Sequence, residues 1–311
     1  MPKVITVGEI LVEIMTKYTG QEFSVPGELM GPYPSGAPAI FIDQVARMGV
    51  DAGIIARVGE DDFGKLCINR LQSDGVDTSH IYKTPGYTTG TAFVTYYLNG
   101  ERMFIFHFSH AAAGQLEPED VDENYIKAAG YLHVMGCSLT ASASLRQAIW
   151  KAVKIAKENK VIVSFDPNLR PELLNNREVK EVYENILGVA DIILSGKTEL
   201  ATLTGESDII KGVDWLKGKG ANIIVLKDGA RGASLYSGEE YYHVPPFKVQ
   251  EVDPTGAGDC FDGAFIASLV SGIGMKEALE IANVAGALSV THKGPMEGTS
   301  FKKDILAAMA R

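Results

Sequence analysis

The sequence predicts an α/β protein with a doubly wound, mainly parallel sheet flanked by helices, because short β-branched apolar runs alternate with amphipathic ones along the chain. The strand-like runs lack polar alternation, as parallel strands buried on both faces do. Length agrees: 311 residues, 46% hydrophobic and 22% charged, suffice for one large domain over 1–311. No linker, low-complexity tract or internal repeat divides it.

In chain order, strands are expected at Val4 to Val7, Gly53 to Val58, Tyr131 to Met135, Val161 to Phe165, Asp191 to Leu194 and Asn222 to Leu226. Helical periodicity marks Ala39 to Met48, Lys65 to Ser73, Ser144 to Asn159 and Val179 to Leu187, which supply the crossovers of βαβ units. Two segments, 11–34 and 88–109, read as strands without crossover helices. In the second, Thr91 to Leu98 turns at Asn99-Gly100 and returns as Arg102 to Phe106, a strong hairpin signal. These strands form either a separate small sheet or an antiparallel edge of the main one.

A formal charge of −10 and a pI near 5.2 argue against a nucleic-acid-binding surface. Cys67, Cys137 and Cys260 are too scattered for a disulfide framework or a zinc site, so a reducing cytoplasm is the expected location. Glu9 and Glu13 interrupt the start before a signal-peptide core can form, and no run reaches the length of a membrane span.

The most informative segment is Asp253-Pro254-Thr255-Gly256-Ala257-Gly258-Asp259-Cys260-Phe261, followed by apolar residues at helical spacing. Gly256, Ala257 and Gly258 then lie over a helix N-terminus, where unpaired N–H groups hold anionic oxygens. Pro254 fixes one dihedral, and the glycines allow positive φ and close approach of a phosphate. Asp259, on the first helical turn, can accept a proton from an attacking alcohol. The helix terminus weakens it as a base, which phosphoryl transfer tolerates because positioning and charge neutralisation matter more. On residue types alone, a glycine loop with a capping Asp stays open. Gly196-Lys197-Thr198 is not a P-loop, since Asp191 stands where its first glycine belongs, and Phe261 breaks a dinucleotide fingerprint.

These residues carry a resemblance. The chain resembles the ribokinase-like, or PfkB, carbohydrate kinases, whose signature D-T-x-G-A-G-D is matched by Asp253, Thr255 and Gly256 to Asp259, with Pro254 as in the fructokinase and 2-keto-3-deoxygluconate kinase branch. Val7 to Leu11, Ser35 to Ala39, Arg57 to Gly64, Asp166 to Arg170 and Asn283 follow in family order. The resemblance implies a ribokinase-like fold in which 11–34 and 88–109 form a small β lid that shields the sugar and offers a homodimer surface.

It also implies an ATP-dependent kinase acting on a primary hydroxyl of a six-carbon keto sugar, of fructose or tagatose type, or of a keto-deoxy sugar acid. Asp259 would be the catalytic base and Gly256, Ala257 and Gly258 the anion hole. Glu13, Ser35, Gly36, Ala37, Arg102, His107 and Arg170 would meet the sugar, and Asn168, Lys227, Gly229, Gly232 and Asn283 the nucleotide. Glu199 would organise Mg²⁺ through water, and a monovalent cation, K⁺, would sit near Asp253 and Ser289. The chain departs from the family at Ser35 and Ile40 among the sugar contacts, at Gly196 in the metal motif, and at Ala92, Ile105 and His107, where no carboxylate clamp for a sugar acid is evident. The alternatives are a non-catalytic sugar- or nucleotide-binding regulator and a nucleoside kinase.

Overall fold

Apolar runs without alternation need cover on both faces, and here they receive it. The computed structural model describes residues 1–98, 102–169 and 176–310. The main sheet comprises β1 (Val4–Val7), β4 (Ala52–Gly59), β5 (Val76–Asp77), β6 (Ile81–Thr84), β9 (Tyr131–Met135), β10 (Ile162–Asp166), β11 (Ile192–Gly196), β12 (Ile223–Lys227), β13 (Ala233–Ser237) and β14 (Glu240–Val244). Their order is β14-β13-β12-β11-β10-β9-β1-β4-β5, with β6 also pairing β4. Only β13 and β14, at one edge, run antiparallel to their neighbours.

Helices cover both faces. α1 (Ala37–Arg47), α2 (Asp62–Ser73), α8 (Ala257–Val270), α9 (Met275–Ser289) and α10 (Lys302–Met309) pack into one core. α3 (Glu123–Lys127), α4 (Ala143–Glu158), α5 (Arg177–Leu187), α6 (Lys197–Thr204) and α7 (Ile209–Gly218) pack into the other. Val4 and Leu194 face the first core while Ile5 and Ile193 face the second, the period-two alternation of a strand buried on both sides.

Two boundaries moved for local reasons. α2 starts at Asp62 because Asp61 Oδ1 accepts the Gly64 N–H at 2.8 Å, an N-cap ahead of the apolar periodicity. β10 runs one residue beyond Phe165 because its pairing with β9 continues to Asp166 opposite Met135, which brings a carboxylate to the carboxyl edge of the sheet.

The segments without crossover helices form a second sheet, β2 (Leu11–Thr16), β3 (Leu29–Ser35), β7 (Gly90–Tyr96) and β8 (Arg102–His107), in the order β3-β2-β7-β8. They are not an edge of the main sheet. β7 and β8 pair antiparallel from Thr91 opposite His107 to Tyr96 opposite Arg102, while the Asn99-Gly100 turn lies outside the described residues.

Candidate active site

The loop 253–258 is built by its own residues. Asp253 is buried, and its Oδ1 accepts the Thr255 N–H while its Oδ2 accepts the Gly294 N–H, both at 3.0 Å. This staples the loop to the 294 turn. Gly256 caps α8 at φ 81, and a Cβ there would lie 2.6 Å from the Pro295 carbonyl oxygen, so both the dihedral and the space demand glycine. The first-turn N–H groups of α8 have no partner further back in the helix and face the loop. Asp259 sits on that turn, 8% exposed.

Two cavities meet at this loop. One, of about 500 Å³, lies between the carboxyl edge of the main sheet and the four-stranded sheet, with Glu9, Glu13, Ser35, Arg102, Phe104 and Asp259 in its wall. The other, of about 560 Å³, is bounded by Gly229, Gly232, Phe247, Asn283, Gly286 and Ala287. Lys227, Pro254, Ala257 and Gly258 belong to both. The seam between them therefore brings the first-turn N–H groups of α8, a buried acid and an ammonium together.

In the first cavity Glu13 is 2% exposed; its Oε2 accepts the Ser35 hydroxyl at 3.4 Å, and its Oε1 has no hydrogen-bond partner among the described residues. Burial, then the negative charges of Asp253 and Asp259, push its carboxyl up to about 8 against the pull of Arg102. Arg102 Nη1 donates to Thr255 Oγ1 at 2.8 Å, linking β8 to the loop 253–258.

Residues 1–302 match the profile of the pfkB family carbohydrate kinases. The chain belongs to this family. It is a sugar kinase, a phosphotransferase with an alcohol acceptor. It is 33% identical to Fructokinase-1 of Zea mays over 97% of this chain and 96% of that protein. A putative Ribokinase II from E. coli, solved in complex with ATP and Mg²⁺, superposes with a TM-score of 0.96 at 47% identity over 100% of both chains. A double-mutant fructokinase from Vibrio cholerae, bound to fructose, ADP and potassium ion, gives a TM-score of 0.86 at 28% identity over 99% of this chain and 98% of that one.

Within this pfkB fold the expected residues sort by cavity. Glu13, Ser35, Gly36, Ala37 and Arg102 line the first, and Gly229, Gly232 and Asn283 the second. Asn283 Nδ2 donates to the Pro245 carbonyl at 2.9 Å and so pins the segment that precedes Phe247. Ile40, where the family pattern has asparagine, lies against the loop 253–258, its Cγ2 3.3 Å from the Cβ position of Gly256.

Two expectations change. His107 is exposed and faces away from the cavity: side chains alternate along β8, so Arg102, Phe104 and Phe106 line the cavity while His107 packs edge-on against Phe93 at 6.0 Å. Asn168 lines the first cavity and not the second, at φ 40, with its N–H donated to Asp166 Oδ1 at 2.9 Å. Lys227, expected at the nucleotide, borders both cavities. Its Nζ donates to Asp166 Oδ2 at 2.9 Å and to Asp262 Oδ1 and Oδ2 at 3.0 and 2.9 Å. Arg170 lies outside the described residues.

The expected metal residues hold backbone. Glu199 Oε2 accepts the Gly196 N–H at 2.7 Å and its Oε1 the Leu169 N–H at 2.8 Å; burial and the neighbouring Asp166 raise its carboxyl, opposed by Lys227. Oε2 also accepts the Ser195 hydroxyl at 3.4 Å, whereas Oε1 keeps a second lone pair, which suits contact through water rather than a tight direct ligand. Ser289 donates to the Gly286 carbonyl at 2.8 Å, and the Asp253 N–H donates to the Val290 carbonyl at 3.1 Å, so the two expected cation residues are neighbours across that pairing. Among the described residues no cluster of His, Cys, Asp or Glu forms a ready metal site.

Sequence reasoning missed Glu9, the Phe104, Phe106 and Phe108 wall, Asp166 and Asp262. Asp262 had a readable signal: α8 is apolar nearly all round, and an acid on such a helix is buried and must be paired.

Proposed function

We propose that this kinase transfers the terminal phosphoryl group of ATP to a primary hydroxyl of a six-carbon keto sugar. The observation that carries this is the shared seam: two cavities of about 500 and 560 Å³ meet at Lys227, Pro254, Ala257 and Gly258, with Asp259 in the wall of the first. The sugar occupies the first cavity with its hydroxyl against Asp259, which orients it and takes its proton. The nucleotide occupies the second, beside Gly229, Gly232 and Asn283. First-turn N–H groups of α8 hold the equatorial oxygens of the transferred group.

Mg²⁺ fits this arrangement as an ion carried mainly by the phosphates, with Glu199 reaching it through water; bound there, it neutralises phosphate charge. K⁺ beside Asp253 and Ser289 would steady the loop from behind. Glu9 and Asp259 set against Arg102 leave the first cavity without surplus positive charge, Glu13 keeping its proton, which favours a neutral ketose of fructose or tagatose type over 2-keto-3-deoxygluconate. The four-stranded sheet acts as a lid that excludes water. Its outward Met103 and Ile105, 36% and 39% exposed, offer an apolar surface for a homodimer. A nucleoside acceptor has one feature in its favour, the phenylalanines at 104, 106 and 108, on which a base could stack.

A coupled ADP-release assay with Mg-ATP across fructose, tagatose, 2-keto-3-deoxygluconate, ribose and adenosine tests the reading, with Asp259→Asn as control. Turnover of one ketose that collapses in the variant is the expected result. Tight ligand binding without ADP release would instead mark a regulator.

A further inference from the structure

Lys227 ends β12 at the carboxyl edge of the sheet and touches both cavities. A methyl group on Gly258 would lie 3.5 Å from its Nζ, so the ammonium sits directly beside the start of α8. It is held from two directions: Asp166 approaches from β10, and Asp262, fully buried, from α8 one turn beyond Asp259. Asp166 also accepts the Asn168 N–H through its other oxygen, at 2.9 Å. The two elements that form the seam, β12 and α8, and β10, which borders the first cavity, thus converge on one side chain.

Charge counting shows what the arrangement requires. Two ionised carboxylates around one ammonium would leave a net negative charge where a polyphosphate must approach. Burial raises Asp262 well above the ordinary carboxylate range despite Lys227. Burial also pushes Asp166 up, but the Lys227 charge and its hydrogen bonds outweigh that and hold it below the range. The two carboxyls are thus pushed in opposite directions, which lessens the negative charge around the ammonium, and the ammonium faces the seam as a cation. Stability alone is a poor reason for such a cluster, since buried ion pairs are often replaceable by apolar side chains without loss. An apolar residue at 262 would continue the otherwise apolar surface of α8.

We infer that Asp262 is a positioning residue for phosphoryl transfer: with Asp166 it seats the Lys227 ammonium at the seam, where that cation meets the transferred group. The inference rests on the kinase reading of the two cavities. It assigns Asp262 no contact with substrate and no proton transfer to it; the effect runs through Lys227.

The test is calorimetric titration of the full chain with Mg-AMP-PNP, a non-hydrolysable ATP analogue, for the parent, Asp262→Ala, Asp262→Asn, Lys227→Met and the Lys227→Met/Asp262→Ala pair. Asp262→Ala is expected to weaken the analogue about tenfold or more, the scale of losing a hydrogen bond to a charged group, with sugar affinity unchanged. The double variant should bind no more weakly than Lys227→Met alone, because both substitutions remove the same function. Asp262→Asn, which keeps an oxygen facing Lys227, should recover most of the affinity. If Asp262→Ala melts below the assay temperature, Asp262→Ser replaces it in the same cycle. Unchanged affinity, additive losses or no recovery in Asp262→Asn overturn the seat. So does tighter binding, since the carboxylate would then compete with the phosphates for the ammonium. A parent that binds no analogue overturns the kinase reading itself, which separates that failure from the others.

Discussion

The two sides of the seam differ in how they are made. On the proposed reading the phosphate side is a continuous stretch, Asp253 to Asp259, whose turn, cap and acid are neighbours in the chain, backed by the Lys227 to Gly232 turn. The proposed sugar side is assembled from Glu9, β2, β3, β7, β8 and the loop after β10, contributions spread over more than half the chain. Local backbone chemistry builds the first and tertiary register the second. Changes on the phosphate side should therefore affect catalysis with any sugar, and changes on the sugar side should alter affinity for one.

The largest effect that could break this contrast is at Asp259. Asp259→Asn should lower kcat by about three orders of magnitude while Mg-AMP-PNP still binds, as loss of a general base does, and single-turnover kinetics would show it. Next is Gly256→Ala. Positive φ and the 2.6 Å approach of the Pro295 oxygen put a cost of about 1–3 kcal/mol on any side chain there. A lowered melting temperature and a raised KM for ATP with every sugar tested are expected.

Glu13→Gln sharpens the comparison from the other side. The KM for the sugar should rise about tenfold, the scale of a hydrogen bond to a charged or strongly polarised group, while KM for ATP holds. Its stability effect has a definite sign. The folded carboxyl titrates near 8 against an ordinary 4.5, so the folded state keeps a proton that the unfolded chain has lost, and stability falls as pH rises between those values. Gln removes that penalty. The melting temperature of Glu13→Gln relative to the parent should climb from pH 5 to about pH 9, which thermal melts across that range would check. The smallest effect belongs to His107. Its alanine variant should leave the sugar KM within about twofold, as exposed positions outside a site do, and a larger rise would return it to the pocket.

Much of the fold was legible because its signals are local. Runs such as Ile162 to Phe165 and Ile223 to Leu226 are apolar enough to be nothing but buried strands, and the amphipathic spacing of 144–159 makes a helix in any context. The short strands β5 and β6 and the edge pair β13 and β14 carry no such density of apolar residues and were not readable in advance. On the site, Gly256 to Asp259 line the first cavity and Gly229, Gly232 and Asn283 the second, grouped by short segments that the sequence already sets apart. His107 does not, since the face a strand residue presents depends on a register that the residue type does not state.

Pro254 brings its fixed dihedral and Gly256 its freedom to take positive φ, and the apolar helix after them brings unpaired first-turn N–H groups; together these fix the turn and the start of α8 wherever the segment is placed. That much the chain decides alone. Which carboxylates grip Lys227, that Glu13 loses its solvent and holds its proton to about pH 8, and that His107 turns outward were decided only by packing. Strand register and burial are sums over distant contacts, and charge and proton affinity follow from them.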